Sequence, residues 1–333
     1  MEYHTKKEVK RTISSLPNRK APEPDDIPND LIQIAETLLT PHLTCLLNLC
    51  SKEGRFPTLW KSSSTAIIRK AAKDNYTDPN AYRPITLLNT LGKHFKKMIN
   101  TRLNNWAHTS KVIHPGHVGG TPARGINDAF TALTSWISHK WREGKVVVGM
   151  FLDVKLAYPL VQEERLIHFL KQKQCPPYLR YVTKSFLSGR KTTVKLDQFI
   201  SQDFQIPNGL PQGSPLSVTL YLLYNSSLFL PNPPSLNENN ISLAYIDDVT
   251  HLLETNTIQQ GQIKVEEVIT RSKKWASRHG AIFDEKQTNI MIFTRRKQPL
   301  KEVMIAGTTC ALQNEIKWLG ITLTPTPAPA RHI

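Results

Sequence analysis

Ile241-Ser-Leu-Ala-Tyr-Ile-Asp-Asp-Val-Thr-His-Leu-Leu253 reads as two apolar strands joined at an acidic tip, Asp247-Asp248. An Asp-Asp pair alone is most often a solvated turn, because aspartate favours tight turns through its own backbone hydrogen bonds. The flanks argue otherwise here. Carboxylates set among Ile, Leu, Ala and Val are costly to desolvate unless a cation meets them, so metal binding is the better reading. Two further stretches support it. Lys145-Val-Val-Val-Gly-Met-Phe-Leu-Asp153 is a β-branched run suited to a sheet covered on one face or both, and Asp153 falls at its exit. Gly209-Leu-Pro-Gln-Gly-Ser-Pro-Leu-Ser217 is a turn whose glycines leave the backbone free to approach a ligand, followed by Ser214 as N-cap and Pro215 in a first helical turn. Two divalent cations held between the attacking and leaving oxygens of a phosphoryl transfer need hard oxygen ligands from at least two separated strands. Asp153 and Asp247 meet that need.

The 333 residues carry a formal net charge of +16, from 43 Lys+Arg against 27 Asp+Glu. A polyanionic partner is the economical explanation, since exposed Lys and Arg displace counterions from phosphates. Charge alone leaves a merely soluble basic protein open. With 39% hydrophobic residues and 11 Phe the chain can bury a sizeable core, and one composite unit is expected. Cys45, Cys50, Cys175 and Cys310 show no Cys-x-x-Cys spacing and no clustered His, so they read as buried thiols of a reducing compartment rather than zinc ligands. No apolar run approaches membrane-spanning length and the first residues lack a signal-peptide core. The expectation is an intracellular protein of cytoplasm or nucleus, with no membrane partner.

Along the chain, Thr5-Lys-Lys-Glu8 is a capping box that opens a short amphipathic helix with Val9, Ile13 and Leu16 at helical spacing. The Pro-rich stretch Lys20 to Asn29 ends it, and a single helical region is predicted from Asp30 to Cys50. Thr65-Ala-Ile-Ile-Arg-Lys70 is strand-like and ends in positive charge, with Lys73 close behind, where phosphates could be cradled. Tyr82 to Leu88 is a second extended segment. Leu91, Phe95, Ile99, Leu103 and Trp106 mark a helix whose apolar stripe reads as core. Val112 to Gly125 reads as a loop, and Ala129, Leu133, Trp136 and Ile137 begin another helix. Pro231 to Asn240 is a surface connection, and Ile258 to Ser277 is a long amphipathic helix stopped by Gly280. Asn289 to Phe293 and Ile316 to Leu323 complete the ordered part before a Pro-rich tail.

In this order the segments resemble the reverse transcriptase domain of non-LTR, LINE-type retrotransposons, over nearly the whole chain. The family's Lys-Ala-Pro-Gly-Pro-Asp-Gly-Ile-Pro is similar to Lys20 to Pro28, and its Tyr-Arg-Pro-Ile stands intact at Tyr82 to Ile85. Leu152-Asp-Val-Lys-Leu-Ala-Tyr-Pro159 resembles its first acidic motif, Gly209 to Ser217 matches its Gly-Leu-Pro-Gln-Gly turn without a change, and Tyr245 to Asp248 matches its Tyr-x-Asp-Asp. Trp275 to Lys286 and Trp318-Leu-Gly320 follow in place. Departures are Glu23, Asp26 and Leu156 where the pattern has glycine, Lys96 where it often has Glu, and Val118 and Thr121 where Phe and Arg are usual. On the pattern the chain reads as one fragment, truncated and partly degenerate, of a longer element.

The resemblance implies an α+β fold of right-hand polymerase fingers-palm architecture with an antiparallel palm sheet and the thumb largely missing. It divides the chain into a helical extension at 1–60, the reverse transcriptase domain at 61–323 and a tail at 324–333. It further implies that Asp153 and Asp247 bind two Mg2+ ions, Mn2+ being a substitute, with Asp248 beside them and the Val154 carbonyl as an extra ligand. Tyr158 would be the gate that stacks under the sugar and rejects a 2′-hydroxyl. Gln212 and Gly213 would line the templating pocket, and Arg83 with Lys70 or Lys73 would meet the incoming triphosphate. Lys286 would donate to pyrophosphate or be structural. The implied partners are an RNA template, a DNA primer and dNTPs. A catalytically inactive nucleic-acid-binding remnant is the alternative, and an RNA-dependent RNA polymerase is a third reading against which Tyr158 argues.

Overall fold

The computed structural model describes residues 3–326 apart from 18–24, 26, 72–74, 232–233, 285–287, 295–301 and 306–307. Lys73, Lys286 and most of the Pro-rich tail therefore lie outside the described residues. The chain forms two compact units, each assembled from two separate stretches: Met1–Ser110 with Tyr158–Leu223, and Lys111–Ala157 with Tyr224–Ile333.

The second unit is built on a five-stranded sheet in the order Asn289–Phe293, Val146–Leu152, Asp248–Thr255, Asn240–Tyr245, His117–Gly119. All seven residues of Val146–Leu152 are buried, as a continuous β-branched and apolar run demands when both faces are covered. Alternation divides them. Val146, Val148, Met150 and Leu152 pack with Val265, Val268, Trp275 and Ala276 of the helix Ile258–His279. Val147 and Phe151 pack with Ala129, Leu133, Trp136 and Ile137 of the helix Ile126–Arg142. The sheet is antiparallel except at its edge, where His117–Gly119 pairs parallel with Asn240–Tyr245. That edge strand arises inside the segment predicted as loop, and at three residues it is too short to show a period.

The first unit holds a second sheet, in which Ser62–Arg69 pairs antiparallel with Tyr82–Leu88 and parallel with Arg190–Leu196. Phe199–Ile200 and Phe204–Ile206 extend Arg190–Leu196 on its far side. The helices Lys6–Ser14, Glu36–Lys52, Thr90–Thr109 and Pro177–Leu187 surround an aromatic core in which the Phe56 ring lies 5.7 Å from Phe95 and 5.2 Å from Phe186. The Thr5 and Glu8 capping box forms as predicted. The single helix expected from Asp30 to Cys50 is two, Asn29–Ile34 and Glu36–Lys52, with a break at Ala35. No capping side chain marks that break, and the apolar period runs through it.

Candidate active site

The sheet register brings the acidic residues together. Asp248 pairs with Tyr245 across a two-residue turn, and Val249 pairs with Leu152, so one step further sets Asp248 opposite Asp153. Asp247 occupies the turn itself, beside Ile246. Asp153 and Asp248 line a cavity of about 180 Å³ with Phe151, Val249, Thr250, Asn289, Lys317 and Trp318. Burial, then the neighbouring Asp247 and Asp153 carboxylates, push the Asp248 carboxyl up to about 6. Beyond Asp153 the chain is held by pairing of Val154 with Phe283 and Lys155 with Ile282, and the Asp284 N–H donates to the Asp153 carbonyl at 2.9 Å.

Two bulky residues beside the acidic cluster have left-handed backbone. Ile246 has φ +63° and Leu156 has φ +48°, in the left-handed region that a bulky side chain rarely adopts. Leu156 is one of the positions where the family pattern carries glycine.

Do these residues fit metal ions? Among the described residues no group of three or more His, Cys, Asp or Glu is arranged to hold a metal ion on its own. The donors would be hard carboxylate oxygens of Asp153, Asp247 and Asp248, crowded enough that the first two raise the proton affinity of Asp248. That is the chemistry of Mg2+, which is commonly bound by one or two carboxylates and completes its shell with water and substrate phosphates. The donor set fits.

Tyr158, Gln212, Gly213, Lys70 and Arg83 belong to the first unit. The Tyr158 ring stacks on Tyr221 at 5.3 Å and 21°. Its carbonyl accepts from the Leu210 N–H at 2.8 Å, and the Val161 carbonyl accepts from Gly209 at 2.9 Å. A Cβ on Gly209 would stand 2.6 Å from the Pro159 carbonyl oxygen, and φ there is +84°, so only glycine lets this turn close on Tyr158-Pro159. The Gln212 carbonyl accepts from the Thr86 N–H at 3.1 Å, tying the turn to the strand that carries Arg83. Arg83 pairs across from Ile68, and Lys70 follows at the same end of that strand pair with its N–H on the Ala81 carbonyl.

One residue here escapes sequence reasoning. Arg190, 5% exposed, donates to the carbonyls of Leu187, Asn208 and Gly209, the last at 2.6 Å, and so clamps the turn from beneath. Burial pulls its guanidinium down to about 10, Glu163 opposing. An arginine among the many of a basic chain gives no sequence signal of such a role.

Two sheets with covering helices, and carboxylates meeting at a strand pair, are the α+β architecture of the right-hand polymerase fold. Residues 68–323 match the family described as Reverse transcriptase (RNA-dependent DNA polymerase). The chain belongs to that family, in its non-LTR, LINE-type branch. It is 30% identical over 331 residues to the RNA-directed DNA polymerase from mobile element jockey of Drosophila melanogaster, covering 99% of this chain and 36% of that protein. The jockey polymerase of Drosophila funebris is 26% identical over the same span, with 99% and 36% covered. The chain thus spans about a third of the length of these relatives. Among solved structures, apo telomerase from Candida tropicalis superposes with a TM-score of 0.55 at 12% identity, over 86% of this chain and 52% of that one, a likeness of fold.

Proposed function

We propose that the chain is the catalytic region of an RNA-directed DNA polymerase, which extends a DNA primer with dNTPs on an RNA template. The reaction is in-line displacement at the α-phosphate by the primer 3′-hydroxyl, with pyrophosphate leaving, and its catalysis is positioning and charge neutralisation. The observation that carries this reading is the register that sets Asp248 opposite Asp153, with Asp247 in the adjoining turn. Asp153 and Asp247 would hold two Mg2+ ions, or Mn2+, with Asp248 and the Val154 carbonyl beside them. When bound, the ions neutralise the phosphate oxygens and favour the attacking alkoxide.

The remaining roles fall to side chains. Tyr158, braced by Tyr221, stands against a ribose 2′-oxygen. The Gln212-Gly213 turn, clamped by Arg190, supports the templating base. Arg83 with Lys70 or Lys73 would meet the triphosphate, and Lys286 would donate to pyrophosphate or be structural.

A second reading, a binding remnant without activity, is favoured by the left-handed backbone at Leu156, three residues after Asp153. One assay separates the two: dNTP incorporation on an RNA template with a DNA primer, in Mg2+ or Mn2+, for wild type and Asp247→Asn, both shown folded by circular dichroism. Activity falling on the order of 1,000-fold in the variant is expected of the polymerase. A folded wild type without incorporation, binding RNA as well as the variant does, is the remnant.

A further inference from the structure

The positive charge is unevenly spread. Of the 43 Lys+Arg and 27 Asp+Glu, 25 and 14 fall in the first unit. Part of that excess gathers on the helix Pro177–Leu187, whose sequence contains no acidic residue. Its inner face, Leu179, Val182, Phe186 and Leu187, is buried, and its outer face carries Arg180, Tyr181 and Lys184. Tyr181 is 54% exposed, with the Arg180 guanidinium 5.3 Å from its ring centroid.

The turn after the helix Glu36–Lys52 is fastened to this face at two points. Gly54, at φ +62°, packs so closely that an added Cβ would stand 2.5 Å from the Tyr181 Cβ. Two residues on, the Phe56 N–H donates to the Ser185 hydroxyl at 2.9 Å. Arg55 lies in the chain between these two anchors and is exposed, and Lys52 is exposed at the end of the helix Glu36–Lys52. The acids in reach are Glu53, exposed in the turn, and Glu163, which accepts from Ser188 at 2.7 Å. None of the residues assigned to the polymerase site takes part.

We propose that Arg55, Arg180, Tyr181 and Lys184 form a second nucleic-acid surface that takes single-stranded RNA. Cations spaced around an exposed aromatic ring are what an unpaired strand needs: phosphates meet the charges and a base stacks on the ring. A duplex offers no free base face, so the aromatic part of the surface selects against it. That the strand is RNA rests on the polymerase reading, which makes RNA the template.

The test uses the full chain and fluorescence anisotropy with a labelled 20-nucleotide oligouridylate, an equal-length oligothymidylate and a blunt DNA duplex. Tyr181→Ala is expected to weaken RNA binding roughly five- to a hundred-fold, with Tyr181→Phe close to wild type. Arg55→Gln with Lys184→Gln should reduce the slope of log affinity against log salt by about 1.4, the share of two phosphates on a single strand. dNTP incorporation at saturating preannealed primer and template should stay at the wild-type level in Tyr181→Ala. Folded variants that bind oligouridylate like wild type, an equal loss on duplex DNA, tighter binding of oligothymidylate than oligouridylate, or an equal loss of incorporation would each overturn the proposal. Failure of the polymerase reading is registered separately, by Asp247→Asn leaving incorporation unchanged.

Discussion

The two units hold their candidate site residues by different means. In the second, Asp153 and Asp248 are placed by the ladder that Val146–Leu152 shares with Asp248–Thr255, a run of backbone pairs between helices on both faces. In the first, the Gly209–Gly213 turn is placed by a few discrete contacts: the Arg190 clamp, the close approach of Gly209 to Pro159, and one hydrogen bond to Thr86. A ladder spreads the work over many bonds and tolerates side-chain change. A clamp concentrates it, and one substitution can release the turn.

The largest expected effect tests that contrast directly. Arg190→Met leaves the carbonyls of Leu187, Asn208 and Gly209 without their donor, the bonds to Leu187 and Gly209 being buried, at a cost of about 2 kcal/mol or more in the first unit. Hydrogen exchange should show the amides of Gly209 and Leu210 losing protection while those of Val249 to Leu253 keep theirs. Equal loss in both sets would erase the distinction.

Lys96 sharpens it from the other side. This residue is 2% exposed, and burial, then Lys93, holds its amine well below the usual lysine range. At neutral pH the fold either buries a charge faced by the Phe186 ring, 5.7 Å away, or gives up a proton, and both cost stability. Lys96→Met should therefore stabilise by about 1–3 kcal/mol, read as a shift of the urea midpoint at constant slope. A loss instead would show that the Phe186 ring compensates the amine.

Acid should act unequally on the units. Burial brings His4 and His94 down to about 4 in the first unit, and His251 down to about 3 in the second. Each stays neutral when folded but binds a proton near pH 6.5 when unfolded. Stability is full above that pH and falls as pH drops below it, by about 1.4 kcal/mol per pH unit for each histidine. Asp248, raised to about 6, gains stability on acidification and offsets His251 in the second unit, so between about pH 6 and 4 the first unit should weaken by about 2.8 kcal/mol per pH unit while the second changes little, as followed by hydrogen exchange across a pH series. Parallel slopes would count against it.

The smallest effect concerns the ladder side. Leu156→Gly relieves a left-handed backbone at a residue 61% exposed, so little burial is lost. Relief of about 1–2 kcal/mol against a glycine entropy cost of about 0.5–1 leaves a net gain of about 0.5–1 kcal/mol. Thermal unfolding would register it, and a lower melting temperature would contradict the strain.

What the sequence disclosed was local. The capping box at Thr5, the left-handed cap at Gly280, the buried strand before Asp153 and the acidic hairpin all form where their residues indicate. Long-range pairing was not legible: Ser62–Arg69 meets Arg190–Leu196 in parallel across more than a hundred residues, and nothing in either strand names its partner. Between Leu160 and Ile206 no element is predicted from the residues, yet two helices and three strands lie there. Their periods are short and interrupted by polar residues. The carboxylates were legible because charge set in apolar flanks is rare, whereas Arg190 was hidden because its role is defined only by carbonyls the fold brings to it.

The turn at Ile246-Asp247 has a consequence for how such a gene ages. With only two residues between paired strands there is no slack, so inserting or deleting one codon would shift Asp248–Thr255 by a residue along its neighbours and reverse which side chains face the core. Substitutions can accumulate around the hairpin one at a time, each at a modest cost. Length changes cannot, and among diverging copies of this coding sequence the spacing from Tyr245 to Asp248 should outlast the identity of the residues around it.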